Sequence, residues 1–551
     1  MISGIMQEAL NITYTYLSLK VNETDLKKLC NSIKTISNIK KYTFKKLEIL
    51  NLKSYEDVQG ILSNLNEKET IRKIKGVYYT PNDVVNFILY NSMKAVNEKI
   101  ESLSVGNTDI DISKFKSFCL EKSVFDPTCG TGVFLLACLE LKLDILESTE
   151  KNITIDKVKN VLATIHGNDV NKDSISITKI RLFLSLFNRY GHKCVSEVEK
   201  ILNKSFENYD FVQEKVKLNK KFDIIIGNPP YVEDSKSGLN LETKYGNIYA
   251  NVLKNSALML KKQGVLAFII PLSYIATPRM RKIREDLEEI IHKQYILSYS
   301  DRPDCLFTSV HQKLCILIGI KSMEEKSIYT SNYQYWYKEE RKNLFKTTTL
   351  VKNNYFDSNF IPKLGNDLDI SIYEKLLQNN DKESLLEMFT PGSGKLYLNM
   401  RATFWIKAFL NKHIGSEYRE YTLENQSIAN YVMCLLNSSL FWWYWICISD
   451  CWHITRKELK NFLVPKINDF IETDKLANNL ERKLEMTKVY VGTKQVEYEY
   501  KHKKCIKEIH DIDDYINKLY KLNKEESVYI KKFAYKYRMG EGVNNEKIKG
   551  N

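Results

Sequence analysis

Short apolar runs alternate with amphipathic stretches between about residues 76 and 320, and this alternation is typical of a parallel α/β sheet. Six apolar runs have the length of buried strands: 124–125, 163–167, 222–226, 265–270, 296–299 and 314–320. Helical patterns follow most of them, at 133–146, 174–188, 249–261 and 279–292. We therefore predict an open α/β sheet, a fold class in which ligands bind beyond the carboxyl ends of the strands.

The pattern changes on both sides of this region. Residues 1–75 carry Ile, Leu and Tyr at intervals of three and four, which predicts helices. Beyond residue 326 the rhythm is irregular and rich in Tyr, Asn and Trp, and from about residue 474 a lysine-rich helical pattern returns. We predict four segments: an N-terminal helical segment (1–75), the α/β domain (76–325), an α+β domain (326–473) and a C-terminal helical segment (474–551).

The most apolar stretch, 428–448, has the length to cross a bilayer, but polar residues such as Asn430 and Asn437 interrupt it, which favours a buried helix. The amino-terminal sequence has neither the basic start nor the apolar run of a signal peptide. The eleven cysteines form no CxxC pair, which fits reduced thiols better than disulfides or a zinc site. These observations predict a cytoplasmic protein with no membrane partner and no metal.

Composition excludes some classes of protein. Hydrophobic residues make up 43% and charged residues 27% of the 551 positions, as in ordinary globular proteins, and the scarcity of Gly and Pro excludes collagen-like and low-complexity chains. Lys and Arg exceed Asp and Glu by 82 to 68, which gives a net charge of +14. Because this surplus is spread over both halves of the chain, it favours a polyanionic partner.

The first candidate site is VFDPTCGTGVFLLACLEL, at 124–141, where a short strand runs through a glycine-containing turn into a helix. Gly130 and Gly132 lack a Cβ and let a ligand approach the backbone, and the N–H groups of the helix start face the same point. The spacing is neither that of a dinucleotide fold nor that of a phosphate loop, so a nucleotide with a long phosphate chain is disfavoured. The turn predicts a cofactor cradle; a purely structural turn is the alternative.

The second candidate site is FDIIIGNPPYV, at 222–232. A buried strand ends at a glycine, and two prolines then fix the backbone, which holds Asn228 and Tyr231 at the carboxyl edge of the sheet. The Asn228 side-chain oxygen and the Pro229 carbonyl would accept the two hydrogens of a planar amino group, and Tyr231 offers a face on which a ring would stack. A proline-rich strand exit without chemistry is the alternative.

Together, DPTCGTG and, about a hundred residues later, IIGNPPY resemble motifs I and IV of S-adenosylmethionine-dependent amino-methyltransferases. The chain most resembles the γ-class DNA N6-adenine methyltransferases of type II restriction-modification systems. GVYYTP at 76–81 is similar to their motif X, the segment at 165–185 to motif II, and those at 264–271, 279–287 and 306–319 to motifs VI to VIII. The resemblance implies a Rossmann-like methyltransferase sheet and covers about residues 76–320.

The resemblance also implies roles for individual residues. The implied cofactor-binding residues are Tyr79, Thr80, Pro81, Asp126, Pro127, Cys129, Gly130, Gly132, Asp169 and Asn228. The implied catalytic residues are Asn228, Pro229, Pro230 and Tyr231, and Tyr231 and Phe307 would stack on the target base. The chain departs from the family at motif III, where Ser205 stands at the position of an acid, and Glu207, Asp210 or a backbone group would substitute for it.

The segment at 431–452 resembles the specificity domain of the same family, so the resemblance implies a methyltransferase catalytic domain at 76–325 and a target-recognition domain at 326–473. Four adjacent aromatic residues at 442–445 cannot all face DNA from one helix, so most belong to the core. Arg456, Lys457 and Lys460 are candidate phosphate contacts, with a solvated surface as the alternative.

The implied reaction is transfer of a methyl group from S-adenosylmethionine to N6 of an adenine flipped out of double-stranded DNA, with a cognate restriction endonuclease acting on the same site as a candidate partner. Three alternatives stay open: an RNA or protein-glutamine amino-methyltransferase, a fused restriction endonuclease-methyltransferase, and a DNA-binding module with an inactive methyltransferase fold.

Overall fold

The computed structural model of the chain describes most of its length. The described residues are 2–48, 54–65, 80–97, 115, 117–192, 194–195, 198–214, 219–307, 311–323, 325–356, 359–378 and 381–540.

A nine-stranded sheet lies at the centre, in the order β3-β2-β1-β4-β5-β7-β6-β8-β9. Its strands are β1 (Val124–Asp126), β2 (Ile165–Asn168), β3 (Phe206–Glu207), β4 (Phe222–Gly227), β5 (Leu260–Pro271), β6 (Lys293–Tyr299), β7 (Leu314–Ile320), β8 (Ser327–Gln334) and β9 (Val351–Lys352). The predicted Rossmann-like α/β class is confirmed, and all six predicted strands are present.

The prediction of a parallel sheet is wrong in part, because β7 lies between β5 and β6 and runs antiparallel to both. The hydrophobic pattern of a buried strand is the same in either direction, so the sequence did not reveal this reversal.

The order of the strands indicates where a ligand site is expected. β1 pairs in parallel with β2 on one side and β4 on the other, so the chain changes its direction of growth between β1 and β4 and opens a crevice at their carboxyl ends.

Helices cover the sheet and precede it, as the pattern predicts. They are α1 (Gly4–Ser18), α2 (Glu23–Ile36), α3 (Tyr55–Asn64), α4 (Asn82–Asn97), α5 (Val133–Thr149), α6 (Ile155–Leu162), α7 (Lys172–Tyr190), α8 (Val198–Ser205), α9 (Ile248–Leu258), α10 (Ser273–Ala276) and α11 (Arg281–Glu288). The helix predicted at 249–261 ends earlier, because Leu260 already pairs with Phe222 as the first residue of β5. The helix predicted at 279–292 is limited to α11, after a short 3₁₀ turn at Pro278–Met280.

The remainder of the chain combines small antiparallel sheets with helices. The strands are β10 (Lys382–Ser384), β11 (Gly394–Asn399), β12 (Lys407–Phe409), β13 (Tyr418–Leu423), β14 (Leu463–Pro465), β15 (Val489–Tyr490) and β16 (Tyr498–Glu499). The helices are α12 (Asp367–Leu377), α13 (Gln426–Asn437), α14 (Ser439–Ile448), α15 (Arg456–Asn461), α16 (Ile471–Glu485), α17 (Ile506–Leu519), α18 (Lys524–Lys532) and α19 (Tyr535–Met539). Strands β8 and β9, which follow residue 326, join the main sheet, and the division into four segments stays a prediction.

The apolar run at 428–448 forms two buried helices, α13 and α14, with a bend of 61° between them. Ser438 caps α14 through a hydrogen bond from Phe441 N. All four adjacent aromatic residues, at 442–445, are at most 1% exposed, so the predicted core placement is confirmed. Within the described ranges, a single helix with the length and apolarity of a membrane span does not occur.

This core placement predicts the cost of removing an indole. Trp443 is fully buried and donates its Nε1 hydrogen to Asp369 Oδ1 at 3.2 Å, so Trp443→Ala should lower the free energy of unfolding by about 3–5 kcal/mol. Trp452, which is 40% exposed, is the matched control, and Trp452→Ala should cost about 1 kcal/mol at most. Urea denaturation followed by circular dichroism measures both, and equal losses would contradict the placement.

Candidate active site

The turn between β1 and α5 has the backbone conformation that glycine favours. Gly130 has φ +53° and Gly132, the N-cap of α5, has φ +80°, both in the left-handed region. A Cβ on Gly130 would meet nothing within 4 Å, whereas a Cβ on Gly132 would lie 2.5 Å from Thr178 Cγ2. Gly132 therefore lets the turn pack against α7, and Gly130 leaves space in front of the helix start, as a cofactor cradle requires.

Asp169, directly after β2, joins this turn. Its carboxylate accepts a hydrogen bond from Gly130 N at 2.9 Å and another from Asn171 N at 2.8 Å. Cys129 N also donates to the carbonyl of Asn168 at 2.8 Å. The structure thus brings together the residues predicted from motifs I and II, and leaves Asp169 partly exposed at the rim of the crevice.

Asp126 lies beneath the crevice and is only 2% exposed. Its Oδ1 accepts a hydrogen bond from Thr128 N at 3.0 Å, and a Cβ on Gly227 would lie 2.7 Å from the same oxygen. Burial raises the pKa of Asp126 well above its ordinary value, and the Asp169 carboxylate adds to this effect. Burial likewise raises the pKa of the Cys129 thiol, which therefore lacks the thiolate character of a nucleophile.

The NPPY segment follows β4 at the same edge of the sheet. Asn228 Nδ2 donates to Thr80 Oγ1 at 3.1 Å, which joins residues that are 148 positions apart. Tyr231 donates its hydroxyl hydrogen to the carbonyl of Ile269 at 2.9 Å, and its ring packs edge-on against Tyr249 with 6.3 Å between centroids. The Tyr231 ring is half-buried, so its position is fixed while part of it stays accessible.

Thr80 belongs to the predicted motif X, and the structure places its buried side chain at the Asn228 amide. Pro81 follows it and precedes α4, accepting a hydrogen bond from Val85 N through its carbonyl. Tyr79 lies outside the described residues. Pro127 and Pro229 are buried and Pro230 is partly exposed in the turns after β1 and β4.

The structure does not bring Phe307 to the surface of the crevice. The side chain is 1% exposed and belongs to the hydrophobic core on the side of the sheet that also contains Tyr299 and Trp336. Its role in stacking on a base stays a prediction.

The motif III candidates are engaged in local contacts. Ser205 is buried at the end of α8, Glu207 Oε1 accepts from Lys220 Nζ at 2.5 Å, and Asp210 Oδ1 caps the turn that contains Val212 N. Asn208, which sequence reasoning missed, is exposed directly after β3 and donates from Nδ2 to the Asp169 carbonyl at 2.7 Å. The sequence signal for Asn208 would have been its position directly after a strand. That strand, β3, has only two residues and is too short to give a recognisable hydrophobic pattern.

One predicted DNA contact is wrong. Lys457 Nζ donates to the carbonyls of Ala276 at 2.5 Å and Ile448 at 2.6 Å, and its side chain is 11% exposed. Lys457 therefore joins two segments inside the protein, and it is neither a phosphate contact nor part of a solvated surface. Arg456 and Lys460 are exposed, and their predicted phosphate contacts stay predictions.

The glycine turn offers a matched pair of substitutions. Gly130→Ala should cost about 1–2 kcal/mol, because alanine disfavours the left-handed conformation. Gly132→Ala has the same backbone strain and should cost about 1–3 kcal/mol more, because its Cβ would overlap Thr178. Thermal unfolding measures both variants, and a Gly132→Ala variant as stable as Gly130→Ala would contradict the packing described for this turn.

Comparisons with known proteins agree with this geometry. Residues 163–305, which contain Asp169 and the NPPY segment, match the Eco57I restriction-modification methylase family. The chain is 26% identical over 287 residues to the modification methylase CviBIII of Paramecium bursaria Chlorella virus NC1A, covering 51% of this chain and 58% of that protein. It is 25% identical over 239 residues to the type II methyltransferase M.BstVI of Geobacillus stearothermophilus, covering 41% of this chain and 38% of that protein.

A third relative is the type II restriction enzyme and methyltransferase RM.Eco57I of Escherichia coli, 22% identical over 359 residues, with 55% of this chain and 35% of that protein covered. The chain therefore spans between about a third and three fifths of these relatives. Among solved structures, that of the type IIL restriction-modification enzyme MmeI in complex with DNA has a TM-score of 0.50 and 12% identity, covers 88% of this chain and 81% of that one, and shows a common fold. The part of the crevice formed by Asp169 and the NPPY segment thus lies in the region that is similar to the Eco57I restriction-modification methylase family, and the two relatives are named a modification methylase and a type II methyltransferase.

Proposed function

We propose that the protein is a site-specific DNA methyltransferase that transfers a methyl group from S-adenosylmethionine to N6 of an adenine flipped out of double-stranded DNA. The observation that carries the proposal is the hydrogen bond from Asn228 Nδ2 to Thr80 Oγ1 at 3.1 Å, at the edge of the sheet that also carries Tyr231 and the glycine turn. An amide held in this way is a fixed acceptor of hydrogen bonds from an amino group.

The residues of the crevice fit S-adenosylmethionine. The open space in front of Gly130 and the start of α5 suits a ligand without a phosphate chain, and Asp169 is the carboxylate at the rim that would accept hydrogen bonds from ribose hydroxyls. Gly132, Asp126 and Cys129 would act by shaping this turn. When bound, S-adenosylmethionine supplies an electrophilic methyl group on a sulfonium.

The orientation of the Asn228 amide indicates how the amino group of the methyl-accepting base would be bound. Because Nδ2 donates to Thr80, the Oδ1 of the same planar amide is directed away from Thr80, where it would accept one hydrogen of an exocyclic amino group. The Pro229 carbonyl would accept the second hydrogen. Two acceptors oriented around one nitrogen localise its lone pair and raise its nucleophilicity, so these groups would stabilise the transition state of methyl transfer.

Tyr231 supports entry of a planar base. Its hydroxyl is held by the Ile269 carbonyl and its ring packs against Tyr249, so a face of fixed orientation lies beside the amide acceptors. Stacking on such a ring would offset about 1–3 kcal/mol of the cost of removing the base from the duplex. The net charge of +14 favours a polyanionic substrate over a protein amide.

The test is to incubate the protein with methyl-labelled S-adenosylmethionine and unmethylated bacterial duplex DNA, with RNA and total protein as parallel acceptors. Label recovered as N6-methyladenine from the duplex supports the proposal. Label confined to RNA or protein, or to N4 of cytosine, would overturn it. Adding Mg²⁺ to the same DNA tests for the nuclease activity that the name of the Escherichia coli relative includes.

Two substitutions separate chemistry from folding. Asn228→Ala should retain the thermal stability of the wild type but reduce methyl transfer at saturating cofactor by about 10²-fold or more, because it removes an acceptor used in the transition state. Tyr231→Ala should also lose transfer, whereas Tyr231→Phe keeps the stacking ring and should retain most of it. Rates under single-turnover conditions check these variants, and normal turnover by Asn228→Ala would contradict the assignment.

Thr80 is expected to act as a positioning residue. Thr80→Val conserves the shape of the side chain but removes the oxygen that fixes the Asn228 amide, so kcat should fall by about tenfold to a hundredfold while KM for DNA changes little. Thr80→Ser retains the hydroxyl and should restore most of the rate. A loss of rate in both variants alike would indicate a packing role instead.

A further inference from the structure

Trp452 is the most exposed tryptophan of the described chain, with 40% of its surface accessible. Two cations contact its ring: Lys313 Nζ lies 4.0 Å and Arg401 Cζ 5.2 Å from the ring centroid. Its exposure distinguishes this indole from those of Trp442, Trp443 and Trp445, which are at most 1% exposed.

This cluster lies at the edge of the sheet that carries the candidate active site. Lys313 immediately precedes β7, and its carbonyl accepts a hydrogen bond from Leu272 N, directly after β5, at 3.0 Å. The Tyr231 hydroxyl is held by Ile269 of the same strand β5. Since β7 is two strand positions from β4, Lys313 lies roughly 10 Å along the sheet from β4, the strand that Asn228 directly follows.

A narrow cleft separates the end of β6 from the loops that follow β11 and α14, and its walls carry excess positive charge. Arg302, Lys313, Arg401 and Trp452 line it together with Asp301. Asp301 is 2% exposed and lies 3.5 Å from Lys313, so these two charges offset each other. Arg302 and Arg401 are exposed, and neither forms an ion pair with a carboxylate of the described residues.

The chemistry of these groups selects a phosphodiester backbone. A guanidinium presents a planar set of donors that matches two phosphate oxygens, and an indole in contact with cations adds an apolar face for a sugar or base. An acidic peptide would match the charge but has no reason to lie beside a site for a planar base. A nucleic acid strand does, because its phosphates flank each nucleotide.

We propose that Arg302, Arg401 and Trp452 bind the DNA backbone next to the nucleotide that enters the Asn228–Tyr231 site. The cleft formed by these three residues and Lys313, which we name the Trp452 cleft, would hold the strand at the junction of the α/β sheet and the C-terminal region. This inference rests on the proposed function, since it takes duplex DNA as the substrate.

The test is the salt dependence of DNA binding, measured by fluorescence anisotropy with a fluorescein-labelled duplex of mixed sequence between about 50 and 200 mM salt. Arg302→Gln and Arg401→Gln should each weaken binding and reduce the slope of log K against log salt by about 0.9, the change expected for one lost phosphate contact. Lys27→Gln, on the exposed surface of α2, removes the same charge and should leave the slope unchanged.

A second measurement concerns the indole. The difference in emission between the wild type and Trp452→Phe isolates Trp452, and its quenching by acrylamide should decrease when the duplex is added. Unchanged slopes in both arginine variants, or unchanged quenching of Trp452, would overturn the proposal. So would an effect seen with an RNA of the same sequence but not with the duplex.

These measurements distinguish a failure of the proposed DNA contacts from a failure of the proposed methyl transfer. Slopes that change as expected, in a wild-type protein that transfers no methyl group to DNA, would support the Trp452 cleft and reject the proposed reaction. Normal methylation with unchanged slopes would support the reaction and reject the cleft.

Discussion

The carboxyl ends of β1 and β4 approach so closely that only a glycine fits between them. A Cβ on Gly227 would lie 2.7 Å from Asp126 Oδ1, so the two strand ends are held side by side and their following turns open on the same crevice. In this buried position Asp126 accepts a hydrogen bond from Thr128 N, which offsets part of the cost of burying its carboxyl group. The glycine turn and the NPPY segment depend on this contact, since a wider gap would separate them.

Polar side chains that would be costly to bury alone join the neighbouring strand ends. The Asn168 side chain donates to the carbonyls of Pro127 at 3.0 Å and Tyr209 at 3.1 Å and accepts from Tyr209 N at 3.1 Å, so one amide joins the turns after β1, β2 and β3. Such a fully satisfied buried network stabilises one arrangement of loops, because any displacement leaves a donor or acceptor unpaired. These hydrogen bonds thereby hold the turns after β1, β2 and β3 together without a ligand.

Buried cations stabilise the C-terminal region, and one of them joins it to this edge of the sheet. Lys457 binds the carbonyls of Ala276 and Ile448, one on each side of the junction. At the end of the described chain, the Arg538 guanidinium lies 4.1 Å from the Trp405 ring centroid and 4.4 Å from that of Trp442, and burial lowers its pKa to about 10. Trp442 is thus packed against a cation in the core, whereas Trp452 is the most exposed tryptophan of the described residues.

Patterns of adjacent residues in the sequence determined many of the strands and turns of this protein. The strands at 124–126 and 222–227 and the chemistry of the turns that follow them were readable because buried strands, left-handed glycines and proline-fixed exits depend on adjacent residues. The sequence did not show which residues from distant parts of the chain lie close together. The reversed direction of β7, the contact between Thr80 and Asn228, the burial of Phe307 and the internal role of Lys457 each depend on segments that are distant in sequence. Sequence thus determined the elements and the chemical groups, and tertiary structure decided which groups meet, because packing and hydrogen bonding between distant segments leave no periodic pattern in the chain.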